Sequence, residues 1–361
     1  MGKAYLVLAN GTVFEGEAFG AQQDVTGELV FTTGMTGYME TLTDPSYYGQ
    51  IVMQTFPLIG NYGVIPADAE SPRIAACAYI VKNCCQAPSN FRSEGELDIF
   101  LRENGITGLC GIDTRALTKI VREQGVMNAR IVREKPEDVD LAAVRAYAVR
   151  DAVAAVSVKE AVLHKGVNAR LTVALLDYGA KANIIRELNA RGCDVWAFPQ
   201  DAAAADIAAV RPDGIMLSNG PGDPAEDADR IKRVQSVCEL PVPIFGICLG
   251  HQLLALAHGF RTEKLKYGHR GANQPVRDTE TGRVYISSQN HGYAVSADSI
   301  NSAIAAEWFM NVNDNTCEGI RYKTRHVCSV QFHPEACGGP QDTAFLFDEF
   351  MKEMEVQKYA P

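Results

Sequence analysis

The pattern of apolar and polar positions changes rhythm once along the chain. Residues 3–9, 12–18 and 28–33 alternate or run apolar over strand lengths, punctuated by Gly, Asn or Asp, which predicts short strands joined by turns. Gly34-Met-Thr-Gly-Tyr38 and Gly60-Asn-Tyr-Gly63 predict loops. A helix is expected over 96–103, ended by Asn104-Gly105, and another over 113–124. In the second, Asp113 or Thr114 is suited to cap the orphan N–H groups, and Gly125 suits the position past the end. Residues 1–133 therefore predict a strand-rich α+β domain. Residues 134–170 differ: a charged, Pro-containing stretch, Ala-rich helical text, then Lys165-Gly166. A linker region is placed there.

From 171 to 361 strands and helices take turns. Apolar runs of strand length occupy 171–176, 193–198, 214–217 and 243–247; helical patterns occupy 182–191, 206–210, 225–238 and 251–258. Ile184, Ile185 and Leu188 share one face of the first of these helices, and Gly192 closes it. This alternation predicts a mostly parallel sheet flanked by helices, with a site at the carboxyl ends of the strands.

Composition sets the outer limits. A chain of 361 residues, 47% apolar and 22% charged, fits two domains with sizeable cores. Its net charge of −10 lacks the basic footprint of a nucleic-acid binder. The apolar N-terminal run is too short for a signal peptide, and none approaches the ~18–20 residues that span a bilayer. A cytoplasmic protein with no nucleic-acid or membrane partner is expected. Ten cysteines without a CxxC pair, and seven scattered histidines, give no basis for a metal site. In a cytosolic chain most of these cysteines are expected to be reduced and buried as small apolar residues.

Cys248 is the exception. Gly246-Ile-Cys-Leu-Gly-His-Gln252 has the G-x-nucleophile-x-G spacing of a sharp strand-to-helix turn, with Cys as nucleophile. Both glycines are needed because side chains would collide with neighbouring backbone. The turn presents the sulfur at a helix N-terminus, which favours thiolate. The N–H of Leu249 is placed to serve an oxyanion hole. A Cys nucleophile needs a base and an orienting carboxylate. His333 and Glu335 follow the apolar stretch 327–332, two residues apart, which points both side chains the same way from an extended segment. His251, His269, His291 and His326 remain alternative bases. A third loop, Ser218-Asn-Gly-Pro-Gly-Asp-Pro224, lies between a strand and a helix. It lacks the spacing of a phosphate-binding loop and reads as a source of a second oxyanion donor, from Gly220 or Gly222, or as an ordinary turn.

These three blocks, in this order, resemble the class I glutamine amidotransferases over 171–361. The N-terminal blocks Gly34-Met-Thr-Gly-Tyr38, Thr43-Asp-Pro-Ser-Tyr47, Gly60-Asn61 and Gly111-Ile-Asp-Thr-Arg115 are similar to the small subunits of carbamoyl-phosphate synthetase. So are Leu176-Asp-Tyr-Gly-Ala-Lys181 and Ser288-Gln-Asn-His-Gly-Tyr293. The resemblance implies that Cys248, His333 and Glu335 hydrolyse glutamine to glutamate and ammonia. It also implies that Gly220, Gly222 and Leu249 contact the glutamine or its oxyanion. Gln252, Asn290, Gly292 and Tyr293 would line the glutamine pocket, and Ser46 would reach the glutamine from the N-terminal domain.

The resemblance further implies a large-subunit partner. Carbamoyl phosphate formation consumes bicarbonate and ATP, and this chain has no recognisable phosphate-binding loop. No cofactor is expected in this chain; ATP and Mg2+ are expected in the large subunit. Three other readings compete: an amidotransferase serving a different synthase, a thiol hydrolase of peptides or γ-glutamyl compounds, and a non-catalytic regulatory module.

Overall fold

The computed structural model describes residues 2–323 and 326–359. The chain forms two compact units, one ending at Ala152 and one beginning at Val153.

The first unit is built on a closed barrel of seven strands in the order β1-β2-β8-β6-β4-β3-β9. These are β1 (Gly2–Leu8), β2 (Val13–Gly20), β3 (Val25–Thr32), β4 (Gln50–Gln54), β6 (Ala78–Ile80), β8 (Thr107–Cys110) and β9 (Met127–Val132). A separate parallel pair joins β5 (Leu58–Ile59) to β7 (Asn83–Cys84). Successive residues along the barrel strands enter two different cores, as the two-residue period of a strand requires. Leu29, Ile51, Met53 and Ile80 pack with Leu117 and Val121 of α3 (Thr114–Gln124). Val30, Val52 and Tyr79 pack with Met39 and Leu42 of α1 (Tyr38–Thr43) and Leu97 and Leu101 of α2 (Leu97–Glu103). The Asp113 side chain accepts the N–H of Ala116 at 2.9 Å, and Gly125 follows α3 at φ 92°. Closure of the barrel was not anticipated: β3, β4, β6 and β8 pair in parallel across intervening helices and loops, and no local pattern announces such pairings. Within the stretch read as a linker lie α4 (Leu141–Ala146), α5 (Ala152–Val156) and β10 (Val162–His164).

The second unit carries a ten-stranded sheet in the order β10-β12-β11-β13-β14-β19-β18-β16-β15-β17. Here β11 is Leu171–Leu176, β12 Cys193–Phe198, β13 Gly214–Leu217, β14 Ile244–Ile247 and β19 Val327–Val330. These five are mutually parallel. The expected mostly parallel sheet needs correction. β15 (Thr262–Asp278), β16 (Val284–Val295), β17 (Ala305–Asn311) and β18 (Cys317–Tyr322) extend it with antiparallel pairings, and β10 pairs antiparallel at the far edge. The sheet is mixed because, among the described residues of 262–330, no α-helix intervenes between strands, and strands joined by short connections run antiparallel.

The parallel strands are mostly apolar because both faces are covered, with Thr172, Asp194 and Ser329 as the polar exceptions. Along β11, Val173 and Leu175 face Ile184 and Leu188 of α6 (Ala182–Ala190) and Phe347 and Phe350 of α10 (Phe345–Lys358). Ala174 and Leu176 face Ile207 of α7 (Ala204–Ala209), Val234 of α8 (Ala228–Cys238) and Leu253 of α9 (Leu249–Ala257). Each such buried Val, Leu, Ile or Phe side chain contributes about 1.5–3 kcal/mol. The order β12-β11-β13-β14 leaves from β11 in both directions, the arrangement that opens a crevice at the carboxyl ends of the strands. The loops after β11, β13, β14 and β19 all leave from that edge.

Candidate active site

Cys248 occupies the step from β14 to α9. Its backbone sits at φ 53°, ψ −102°, a strained conformation for a residue with a side chain. Neighbours hold it there. Cys248 N–H donates to Val330 O at 2.8 Å, and Gly250 N–H donates to Ser218 O at 3.0 Å. The two glycines have separate steric reasons. A side chain on Gly246 would put its first carbon 2.6 Å from Leu254 Cδ1, and one on Gly250 would put it 2.3 Å from Leu217 O. The helix starts at Leu249, two residues before the expected 251, so the Leu249 N–H is one of the orphan donors of a helix start. Cys248 Sγ lies 3.8 Å from Asn290 O.

His333 and Glu335 leave the end of β19 and are both buried. His333 Nδ1 and Glu335 Oε1 are 2.6 Å apart. The carboxylate fixes the proton on Nδ1, so in the neutral ring Nε2 carries the lone pair. That Nε2 is buried with no hydrogen-bond partner among the described residues. Burial and the Lys181 cation both act against a proton on His333; Glu335 and the Cys248 sulfur outweigh them and hold the imidazole above its usual range. Burial likewise acts against ionised Glu335, but His333 and then Lys181 hold it well below the usual carboxylate range. Cys248, His333 and Glu335 thus form one electrostatically coupled group.

Two participants were not singled out from the sequence. Lys181 Nζ lies 3.4 Å from Glu335 Oε1, and both residues are buried. Asn183 Nδ2 donates to Glu335 O. The loop after β11 delivers Lys181, and the first turn of α6, which that loop leads into, delivers Asn183. Asp177 Oδ1 accepts the N–H groups of Gly179 and Ala180 at 2.8 and 2.7 Å, and Asn219 Oδ1 accepts that of Lys181 at 3.1 Å. Their signal was positional: this loop also leaves the carboxyl edge of the sheet, where ligand-handling residues gather.

The Ser218–Pro224 loop is stitched to the same neighbour. Ser218 Oγ accepts Tyr178 N–H at 2.9 Å and donates to Asn219 O at 2.7 Å. Gly220 is required by close packing, since a side chain would come 2.2 Å from Tyr178 O. Gly222 is exposed and turns at φ 94°. Gln252 is buried, and its Nε2 donates to Tyr293 O at 2.8 Å and Gln331 Oε1 at 2.9 Å. It therefore ties α9 to β16 and to the segment after β19 that carries His333. Asn290 and Gly292 sit beside Tyr293 on β16. Ser46 lies in the first unit, in a short 3-10 turn (Pro45–Tyr47), with its N–H on Asp44 Oδ1 at 2.9 Å.

The other histidines are engaged elsewhere. His326 lies 2.5 Å from Glu353, and His269 lies 2.8 Å from Asp314. His291 Nδ1 is 2.7 Å from Tyr293 O. His251 Nδ1 is 2.9 Å from Ser329 Oγ, and burial pushes its pKa from 6.5 down to about 3. As pH falls below 6.5 the unfolded chain therefore takes this proton before the folded one does, and stability is lost progressively down to about pH 3. At about 1.4 kcal/mol per unit the loss is on the order of 5 kcal/mol. Urea unfolding at stepped pH is expected to show a much flatter acid limb for His251→Gln than for the parent chain.

Among the described residues no disulfide is formed, and no helix is long and apolar enough to cross a membrane.

Both units match known families. Residues 6–131 match the family described as carbamoyl-phosphate synthase small chain, CPSase domain, and residues 174–353 match glutamine amidotransferase class-I. A protein of Clostridium perfringens named carbamoyl phosphate synthase small chain is 50% identical over 97% of this chain and 99% of its own length. Proteins with the same name from Bacillus caldolyticus and Fusobacterium nucleatum are each 48% identical over 97% of this chain, and cover 96% and 98% of their own lengths. With agreement in both units and over nearly the whole length, the chain belongs to the carbamoyl phosphate synthase small chain family, as an enzyme subunit with a class-I glutamine amidotransferase domain.

Proposed function

We propose that the second unit hydrolyses the side-chain amide of glutamine and that the ammonia serves a large-chain partner. That partner would make carbamoyl phosphate from bicarbonate and ATP. The observation that carries the reading is the buried His333–Glu335 pair coupled to a cysteine held in a strained strand-to-helix turn.

Cys248 Sγ attacks the amide carbon while its proton passes to His333 Nε2. The oxyanion that forms is met by backbone N–H groups, with Leu249 at the start of α9 and Gly220 as the donors. The C–N bond breaks, ammonia leaves with the proton from His333, and a γ-glutamyl thioester remains on Cys248. Water then gives a proton to His333 and attacks the thioester, releasing glutamate and restoring the thiol. Glu335 holds the ring orientation and balances the imidazolium; Lys181 and Asn183 hold Glu335. Asn290, Gly292 and Tyr293 border the glutamine, and Gln252 holds Tyr293 in place.

Ammonia released into neutral water becomes ammonium, which has no lone pair for attack on an activated carbonyl. Delivery to a large chain that holds ATP and Mg2+ solves this, and a glutaminase that is slow alone avoids waste.

Acid quenching during turnover is expected to trap a γ-glutamyl group on the Cys248 peptide, read by mass spectrometry. A group on another residue, or none, would sink the assignment. Glu335→Gln removes the counter-charge of His333 and is expected to lower kcat about 100-fold or more with a small change in KM. Steady-state kinetics of glutamate release checks this.

A further inference from the structure

A second buried polar cluster lies beside the site, and no step above uses it. His269 on β15 has a carboxylate at each ring nitrogen: Nε2 is 2.8 Å from Asp314 Oδ2, and Nδ1 is 3.3 Å from Glu318 Oε1. Glu318 is fully buried on β18, and Asn311 Nδ2 at the end of β17 donates to its Oε1 at 3.1 Å. His291 on β16 sets its ring edge-on to His269, with centroids 5.0 Å apart. Four strands thus meet through one imidazole.

The backbone here needs such a pin. Only three consecutive residue pairs register β15 on β16 at this point: His269 with His291, Arg270 with Asn290, and Gly271 with Gln289. Register shifts interrupt the ladder on both sides, between Lys264 and His269 and between Gly271 and Gln274. A short ladder between two irregularities is weakly specified by its own hydrogen bonds. Yet this segment sets the Asn290 carbonyl 3.8 Å from Cys248 Sγ. The cluster is also continuous with the segment that carries His333: Glu318 O accepts Gln331 N–H at 2.9 Å, and Gln331 is two residues before His333.

We propose that His269, bridged between Asp314 and Glu318, is the positioning residue that fixes residues 289–291 against Cys248 and so sets the affinity for glutamine. The inference rests on the reading of Asn290, Gly292 and Tyr293 as the border of the glutamine pocket. Three ligand atoms of His269, His291 and Glu318 also lie within 4.8 Å of one another. A divalent cation held there is the rival explanation for this cluster.

The test compares two reagents on the full chain. 6-Diazo-5-oxo-L-norleucine must occupy the glutamine pocket before it alkylates Cys248; iodoacetamide need not. His269→Gln is expected to slow labelling by the diazoketone about tenfold and raise the glutaminase KM similarly, with kcat and iodoacetamide labelling within about threefold. Glu318→Gln keeps an acceptor oxygen at the same reach and is expected to stay within about threefold of the parent in both measures. Should His269→Gln fail to fold, Asp314→Ala, on an exposed turn, removes the acceptor at Nε2 and is expected to give a smaller shift in the same ratio. Unchanged diazoketone labelling in His269→Gln, or in the Asp314 variant where it stands in for it, overturns the inference. So does an equal loss with both reagents, which marks general disruption, and so does one equivalent of metal bound by the parent chain and lost in His269→Gln. If the parent chain reacts with iodoacetamide at Cys248 but never with the diazoketone, the glutamine reading itself fails, and the inference falls with it.

Discussion

Cys248→Ser is expected to lower glutamine hydrolysis by about three orders of magnitude or more, with the fold intact. The hydroxyl is nearly isosteric with the thiol, so the buried turn between β14 and α9 accepts it without a steric penalty. What changes is chemistry. An alcohol gives up its proton far less readily than a thiol, and His333 was matched to sulfur by the charges around it. An oxygen ester intermediate would also replace the thioester. The variant is therefore expected to unfold in urea at nearly the parent midpoint while releasing almost no glutamate. Substantial activity in the serine variant would move the nucleophile elsewhere.

Gly250→Ala is expected to produce the largest loss of stability. Its new carbon would sit 2.3 Å from Leu217 O and 2.7 Å from Leu217 C. Both are backbone atoms of β13 inside the parallel sheet, so no side-chain rotation relieves the clash. α9 and β13 would have to separate, breaking the Gly250 N–H to Ser218 O bond and opening the core around Leu253 and Leu254. A cost on the order of 3–5 kcal/mol is expected, read as a lowered urea midpoint, and glutaminase activity is expected to fall with it because Cys248 rides on the same turn. Gly222→Ala, at an exposed loop position, is expected to cost far less, about 1–2 kcal/mol from the positive φ alone.

Much of the second unit was legible in advance. Leu171–Leu176, Cys193–Phe198 and Gly214–Leu217 fall where their apolar runs are, because a strand covered on both faces reads as a nearly continuous apolar run. The nucleophile turn was legible because its two glycines answer two local clashes. The antiparallel extension was not. β15 is 17 residues long, carries charges on exposed positions and breaks register twice, so neither a period of two nor a continuous apolar run survives along it. The first unit showed its strands but not their closure, since parallel partners such as Val52 and Tyr79 are chosen by tertiary packing.

The candidate site divides in the same way. Cys248, His333 and Glu335 each sit in a short block with internal spacing that chemistry explains. Lys181 reaches Glu335 from a loop far away in sequence, and its lysine carries no mark of its own. His269, Asp314 and Glu318 are scattered over two strands and a turn, and only the folded sheet brings them together. Gln252 was readable as a neighbour of the nucleophile, but its two bonds to Tyr293 and Gln331 depend on where β16 and β19 lie.

The most direct measurement is glutamate release by the purified chain, alone and with a large-chain partner, bicarbonate, ATP and Mg2+, beside Cys248→Ser. The expected result is slow hydrolysis alone, strong stimulation by the complete mixture, carbamoyl phosphate formed in step with glutamate, and loss of both in the variant. Glutamate release that ignores the partner and persists in Cys248→Ser would contradict the account.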